Sequence, residues 1–172
     1  MAKVAFILDE MFEDSEFKVP HDRVREAGHD PVVVGLEAGK TIEGKKGKET
    51  VTTEAAISEV RPEEFEALVI PGGYSPDKIR TNEGMVSFTK SMVESGKPVA
   101  AICHAGWMLA EAGVVSGRTV TSVPAIKTDL VNAGANWVNE EVVEDGNLIT
   151  SRTPEDLEAF SKALLTQLEG RL

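Results

Sequence analysis

The chain has a single cysteine in 172 residues, Cys103, so it can form no internal disulfide. A lone free thiol fits a reducing compartment and leaves Cys103 available for chemistry. Histidine is almost as scarce: His21, His29 and His104 are the only three, and none follows residue 104. That excludes the usual order of α/β-hydrolases and papain-like proteases, in which histidine comes after the nucleophile. Positive charge is also short, with 18 Lys and Arg against 29 Asp and Glu and a net charge of −11. Nucleic acid and anionic membrane are therefore not expected as partners, because either needs a basic face. No His/Cys cluster has metal-ligand spacing and no G-x-G-x-x-G occurs, so neither a metal nor a dinucleotide cofactor is expected. No run approaches the ~20 apolar residues of a membrane span. The apolar start, Val4 to Leu8, is short and runs straight into acids, unlike a secretion signal. The expectation is a soluble cytoplasmic protein.

What is present is an alternation of short β-branched runs with helical stretches. Strands are expected over 3–8, 32–35, 66–70, 98–102 and 119–122, and helices over 15–28, 55–60, 82–95, 104–112 and 126–133. Asp145-Gly146 reads as a two-residue hairpin turn. Thr153-Pro154 with Asp156 reads as the capped start of a last helix. The residues 37–50 read as a loop or small hairpin, and Gly44-Lys45-Lys46-Gly47-Lys48 within it as a solvated turn, with a small anion-docking patch as the alternative. Strands alternating with helices predict a single α/β domain over 1–172, a mostly parallel sheet covered on both faces. Ligands in such sheets bind beyond the carboxyl ends of the strands. Three loops of chemical character leave those ends: Asp9–Asp14, Pro71–Asp77 and Cys103–Gly106.

The segment Val99-Ala100-Ala101-Ile102-Cys103-His104-Ala105-Gly106 has the features of a nucleophile elbow, a strand turning sharply into a helix. Such a turn needs small residues two before and two after the nucleophile, and Ala101 and Ala105 satisfy that spacing. Cys103 would then precede a helix N-terminus, where free amides favour thiolate. The His104 amide would point at an oxyanion, and Gly72-Gly73 would let a second amide approach. A buried, inert cysteine and a plain tight turn are the structural alternatives. Glu13 and Asp77 are the acidic candidates on the neighbouring loops. A carboxyl buried beside a thiol tends to keep its proton.

Glu13-Asp14, Pro71-Gly72-Gly73, Ser75-Pro76-Asp77 and Ala101-Ile102-Cys103-His104 occur here in the order of the ThiJ/PfpI superfamily, which the chain resembles. Val131-Asn132-Ala133-Gly134-Ala135 and the stretch Thr150 to Leu157 resemble its PfpI-like bacterial stress branch. The resemblance implies a flavodoxin-like three-layer sandwich, related to class I glutamine amidotransferases, although the histidine and glutamate those enzymes carry near the C-terminus have no counterpart. It implies a homodimer or hexamer, with Cys103 as nucleophile, His104 beside it and Glu13 hydrogen-bonded to the sulfur. An acid from a second subunit completes the triad in that branch, and Asp77 holds the matching position. The implied activity is deglycase or glyoxalase III-like action on reactive carbonyls or their protein adducts. Intracellular peptidase action, or a non-enzymatic role as stress chaperone or redox sensor, are the alternatives. Family members usually read Cys-His-Gly-Pro where this chain has Ala105-Gly106, and Val123 stands where some relatives carry a tyrosine. Both departures bear on substrate preference.

Overall fold

The computed structural model describes every residue, Met1 to Leu172. In chain order the elements are β1 (Lys3–Ile7), α1 (Asp14–Glu26), β2 (Asp30–Gly35), β3 (Thr41–Glu43), β4 (Thr50–Thr52), β5 (Ala55–Ala56), β6 (Ala67–Ile70), α2 (Ser75–Ile79), α3 (Glu83–Glu94), β7 (Val99–Ile102), α4 (Gly106–Glu111), β8 (Thr119–Val120), α5 (Lys127–Asn132), β9 (Asn136–Trp137), β10 (Val142–Asp145), β11 (Leu148–Ser151) and α6 (Leu157–Arg171). Seven strands form the central sheet in the order β10-β11-β7-β6-β1-β2-β5. All pairings are parallel except β10 with β11.

The inner strands are buried on both faces, and period-2 alternation divides their side chains between two cores. Ala5, Ile7, Leu68, Ile70, Val99 and Ala101 face one core, which is closed by Met85, Phe88 and Met92 of α3 and Met108 and Leu109 of α4. Val4, Phe6, Ala67, Val69, Ala100 and Ile102 face the other, closed by Phe17 and Val24 of α1 and Phe160, Leu164 and Leu168 of α6. The expected three-layer sandwich is therefore the observed one. The family of folds is flavodoxin-like, with β6, β7 and β1 at its centre.

Local differences from the sequence reading have physical causes. The stretch 37–50 is a hairpin, β3 paired with β4. Residues 55–60, expected as a helix, instead add an edge strand beside β2 and then make one 3-10 turn. Ser75–Asp77, read as loop, begins the helix α2, with Pro76 in its first turn where a missing N–H does no harm. β8 leaves the main sheet and pairs with β9. The hairpin turn lies one residue further on than expected, because Asp145 still pairs with Leu148. Thr153 makes no capping bond. Buried Asp156 secures the entry to α6 instead, gripping the Arg152 guanidinium and backbone amide.

Candidate active site

β7 runs wholly buried to Ile102 and stops because Cys103 turns its backbone into the left-handed region, at φ 62°. A non-glycine residue there is strained by about 1–3 kcal/mol, and such residues persist where their surroundings over-determine them. A 3-10 turn over Cys103–Ala105 follows, then α4. This is the elbow geometry. Ala101 and Ala105 lie buried on either side of it.

Gly72 shows why the β6 loop must be small. A Cβ there would stand 2.5 Å from Glu16 Oε1 and 2.9 Å from both Cys103 Cβ and the Ile102 carbonyl. Gly73 makes an isolated antiparallel bridge with Phe12. That bridge is bonded through its flanks, Glu13 N to Gly72 O at 3.1 Å and Tyr74 N to Met11 O at 2.8 Å. In a bridge of this kind the central amide points away from its partner. Gly73 itself leaves strand geometry, at φ 83°. The His104 amide faces the Cys103 sulfur. One backbone donor, the His104 amide, therefore lies at the thiol, with the Gly72-Gly73 loop packed against it.

The acid at the sulfur is not the one expected. Glu13 is buried, but it caps α1: its Oε2 accepts bonds from Ser15 N at 2.9 Å, Ser15 Oγ at 2.5 Å and Glu16 N at 3.1 Å. Its Oε1 pairs with Lys46 Nζ at 2.9 Å. Burial opposes its ionisation, but the bonds from Ser15, Lys46 and the Glu16 amide outweigh burial and hold the carboxyl below its ordinary range. Glu16 takes the place beside Cys103. It is fully buried, Oε1 accepts the Gly72 amide at 2.8 Å, and Oε2 has no hydrogen-bond partner in the chain. Burial first, and the Glu13 charge second, push its pKa up to about 8. The helix explains the exchange. A residue at the N-cap folds its side chain back onto its own first amides, and position 13 is that cap. Position 16, three residues on, projects from the first turn toward the sheet edge.

Burial also pushes the Cys103 thiol up, to about 12, with the Glu16 charge adding to it and the His104 amide and Lys45 working against it. The free thiolate expected from the sequence is therefore not the resting state. The Glu16 contribution exists only when that carboxyl is ionised. Below about pH 8 Glu16 keeps its proton and becomes a hydrogen-bond donor to the sulfur, so the two acids titrate as a pair. His104 Nδ1 lies 3.5 Å from Cys103 Sγ. Burial and then Lys45 lower its pKa, so it is neutral at neutral pH. Its ring stacks edge-on against Trp107, 5.2 Å between centroids, and Trp107 is anchored by Nε1 to Asp129 at 2.8 Å.

Asp77 does not reach His104 within the chain. It sits exposed on α2 and lines a cavity of 710 Å³ with Arg80, Glu83, Lys90 and Glu111. Lys45, from the hairpin between β3 and β4, is the residue the sequence left in a solvated turn. Its charge acts on Glu16, Cys103 and His104 alike.

A cysteine on a strand-to-helix elbow, with a backbone amide and a buried glutamic acid beside it, defines an α/β protein of the nucleophile-elbow class. The chain belongs to the DJ-1/PfpI family, matching it over residues 2–167. It is 48% identical to protein/nucleic acid deglycase 2 of Escherichia coli over 167 residues, 96% of this chain and 97% of that one. It is 45% identical to general stress protein 18 of Bacillus subtilis, over 97% and 98% of the two chains. A solved two-domain protein from Anabaena variabilis, with DJ-1/ThiJ/PfpI-like and ferritin-like domains, superposes with a TM-score of 0.97 at 40% identity. The match covers 98% of this chain and 48% of that one. No helix is long and apolar enough to cross a membrane.

Proposed function

We propose that the protein is a cysteine-dependent enzyme that acts on small reactive carbonyls or their protein adducts, in the manner of a deglycase or glyoxalase, in protection against stress. The observation that carries this is the buried pair of Cys103 and protonated Glu16 on the elbow, with the His104 amide at the sulfur. A thiol of raised pKa reacts well only where its proton has somewhere to go at the moment of attack. With methylglyoxal, Cys103 Sγ adds to the aldehyde carbon and the carbonyl π pair moves to oxygen. The His104 amide holds that oxygen, and Glu16 gives its own proton to it while taking the proton of the thiol. The resulting hemithioacetal carries the former aldehyde hydrogen. His104, neutral at neutral pH, takes that hydrogen as a proton from the first carbon and returns it to the second, so the aldehyde carbon is oxidised as the ketone carbon is reduced. Water then cleaves the thioester to lactate and the free thiol. The relative in Escherichia coli being named a deglycase supports the reading. So does the net charge of −11, which favours small or protein-borne carbonyls over nucleic acid as substrate. The test is conversion of methylglyoxal to lactate by wild type and Cys103→Ala. Loss of turnover in the variant is expected, and equal rates overturn the mechanism.

We also propose that the working form is a homo-oligomer, dimer or hexamer, in the cytoplasm. The exposed positions of Tyr74, Met11 and Asp77 around the site mouth support this, as does the lone thiol. In such an assembly Asp77 of a second copy can orient His104. Sedimentation of the purified chain as a monomer at working concentration contradicts it.

A further inference from the structure

The hairpin between β3 and β4 is tied down over the active site. Asp14, itself buried, accepts the amides of Lys46 at 2.9 Å, Lys48 at 2.9 Å and Glu49 at 2.8 Å. The hairpin also bonds to the β1–α1 loop, Lys45 N to Phe12 O at 2.8 Å and Met11 N to Glu43 O at 2.9 Å. The five residues that composition reads as a solvated turn, Gly44 to Lys48, are thus fixed in place by a buried carboxylate and two backbone bonds.

The three lysines on the tip differ in what they meet. Lys46 is neutralised by Glu13. Lys48 and Lys45 have no carboxylate within ion-pairing distance, but Lys45 alone leans toward the site, with Nζ 5.9 Å from the centre of the Tyr74 ring. Tyr74 follows Gly73 directly and is 61% exposed. The one ionised carboxylate beside the pocket, Glu13, is already paired with Lys46, which leaves the Lys45 ammonium without an anion. A fixed, unpaired cation beside an aromatic face and a nucleophile is a binding group in want of an anion.

We propose that Lys45, with the Tyr74 ring as its wall, is a subsite for a carboxylate carried next to the carbonyl that Cys103 attacks, so that Cys103 adds to aldehyde acids of the glyoxylate type in preference to neutral aldehydes. The covalent step is simple addition. The sulfur bonds to the aldehyde carbon, the carbonyl π pair becomes an alkoxide, and that oxygen gains a proton from Glu16 as the thiol gives its own to Glu16. Nothing is oxidised or reduced, and the carboxylate stays on Lys45 throughout. Only this aldehyde part rests on the proposed function; the anion subsite stands apart from it.

Two alkylating agents separate the parts. Iodoacetate and iodoacetamide share size and leaving group and differ in charge. The rate ratio of iodoacetate to iodoacetamide at Cys103 is expected to fall on the order of fivefold in Lys45→Met. The same ratio is expected to stay nearly unchanged in Lys48→Met, which removes an equal charge from the same tip. In wild type, glyoxylate is expected to protect Cys103 from iodoacetamide at a concentration on the order of fivefold lower than glyoxal, and Lys45→Met is expected to erase that advantage. A ratio unmoved by Lys45→Met, or moved equally by Lys48→Met, overturns the subsite. A ratio that falls in Lys45→Met while neither aldehyde protects the thiol keeps the anion subsite, overturns the aldehyde-acid assignment and removes the carbonyl chemistry with it.

Discussion

Glu16 should make the protein less stable as the pH rises through the neutral range. Its carboxyl has a pKa near 4.5 in an unfolded chain and about 8 in the folded one. Between these values the folded state binds a proton that the unfolded state has lost. Folding stability therefore falls with pH across that window, by roughly 1.4 kcal/mol per unit. Below about pH 4.5 both states are protonated and the penalty is absent; above about pH 8 both are ionised and it is complete. Glu16→Gln retains an oxygen to accept the Gly72 amide but cannot ionise. Its stability relative to wild type should improve by roughly 3 kcal/mol between about pH 5.5 and pH 8.5. Urea unfolding of both proteins at the two pH values measures this. Taking the difference between the pH values removes whatever the amide changes in packing. A relative stability that stays constant with pH, to within about 0.5 kcal/mol, refutes the buried protonated carboxyl. The same variant should lose most turnover, since a glutamine cannot move a proton.

Other substitutions test neighbouring parts of the site. Cys103→Gly should be more stable than Cys103→Ala by about 1 kcal/mol, because only glycine relieves the positive φ at 103; thermal unfolding of the two inactive variants shows the order. Gly72→Ala drives a methyl group into Glu16 and the Cys103 Cβ, and should lower stability by about 1–3 kcal/mol and slow alkylation of the thiol. Asp14→Ala removes the acceptor of three hairpin amides. It should destabilise the protein by about 2–4 kcal/mol and expose the hairpin tip to limited proteolysis after its lysines. Against burial, those amides hold the Asp14 carboxyl below its ordinary range, so the clamp stays closed as the pH falls through the ordinary carboxylate range and opens only below it.

Much of this fold was legible because its inner strands obey a simple rule. Val4 to Ile7, Ala67 to Ile70 and Val99 to Ile102 are short, apolar and punctuated by glycine, proline or charge, and a strand buried on both faces has no other composition available. The elbow was legible for a related reason: Ala101, Cys103 and Ala105 are spaced as the steric needs of the turn dictate. The identity of the acid was not. Glu13, Asp14 and Glu16 lie within four residues, and one became a helix cap, one a hairpin clamp and one the partner of the thiol. A helix starting at Asp14 makes position 13 a cap, and that signal was available in principle. The clamp was not, because Asp14 is paired with amides more than thirty residues away. Lys45 was hidden for the same reason. Its place beside Cys103 depends on how a hairpin folds over a loop from another part of the chain. The ionisation of the thiol does not follow from its helix position, because burial is the larger effect.

The central claim is a glutamic acid that keeps its proton at neutral pH beside the nucleophile. Infrared spectroscopy reads this directly, because a protonated carboxyl has a carbonyl band distinct from that of a carboxylate. The difference spectrum between wild type and Glu16→Gln at neutral pH should contain the band of a protonated acid, and that band should titrate away near pH 8. A difference spectrum that contains only carboxylate bands at neutral pH contradicts the claim, and with it the proton path from Cys103.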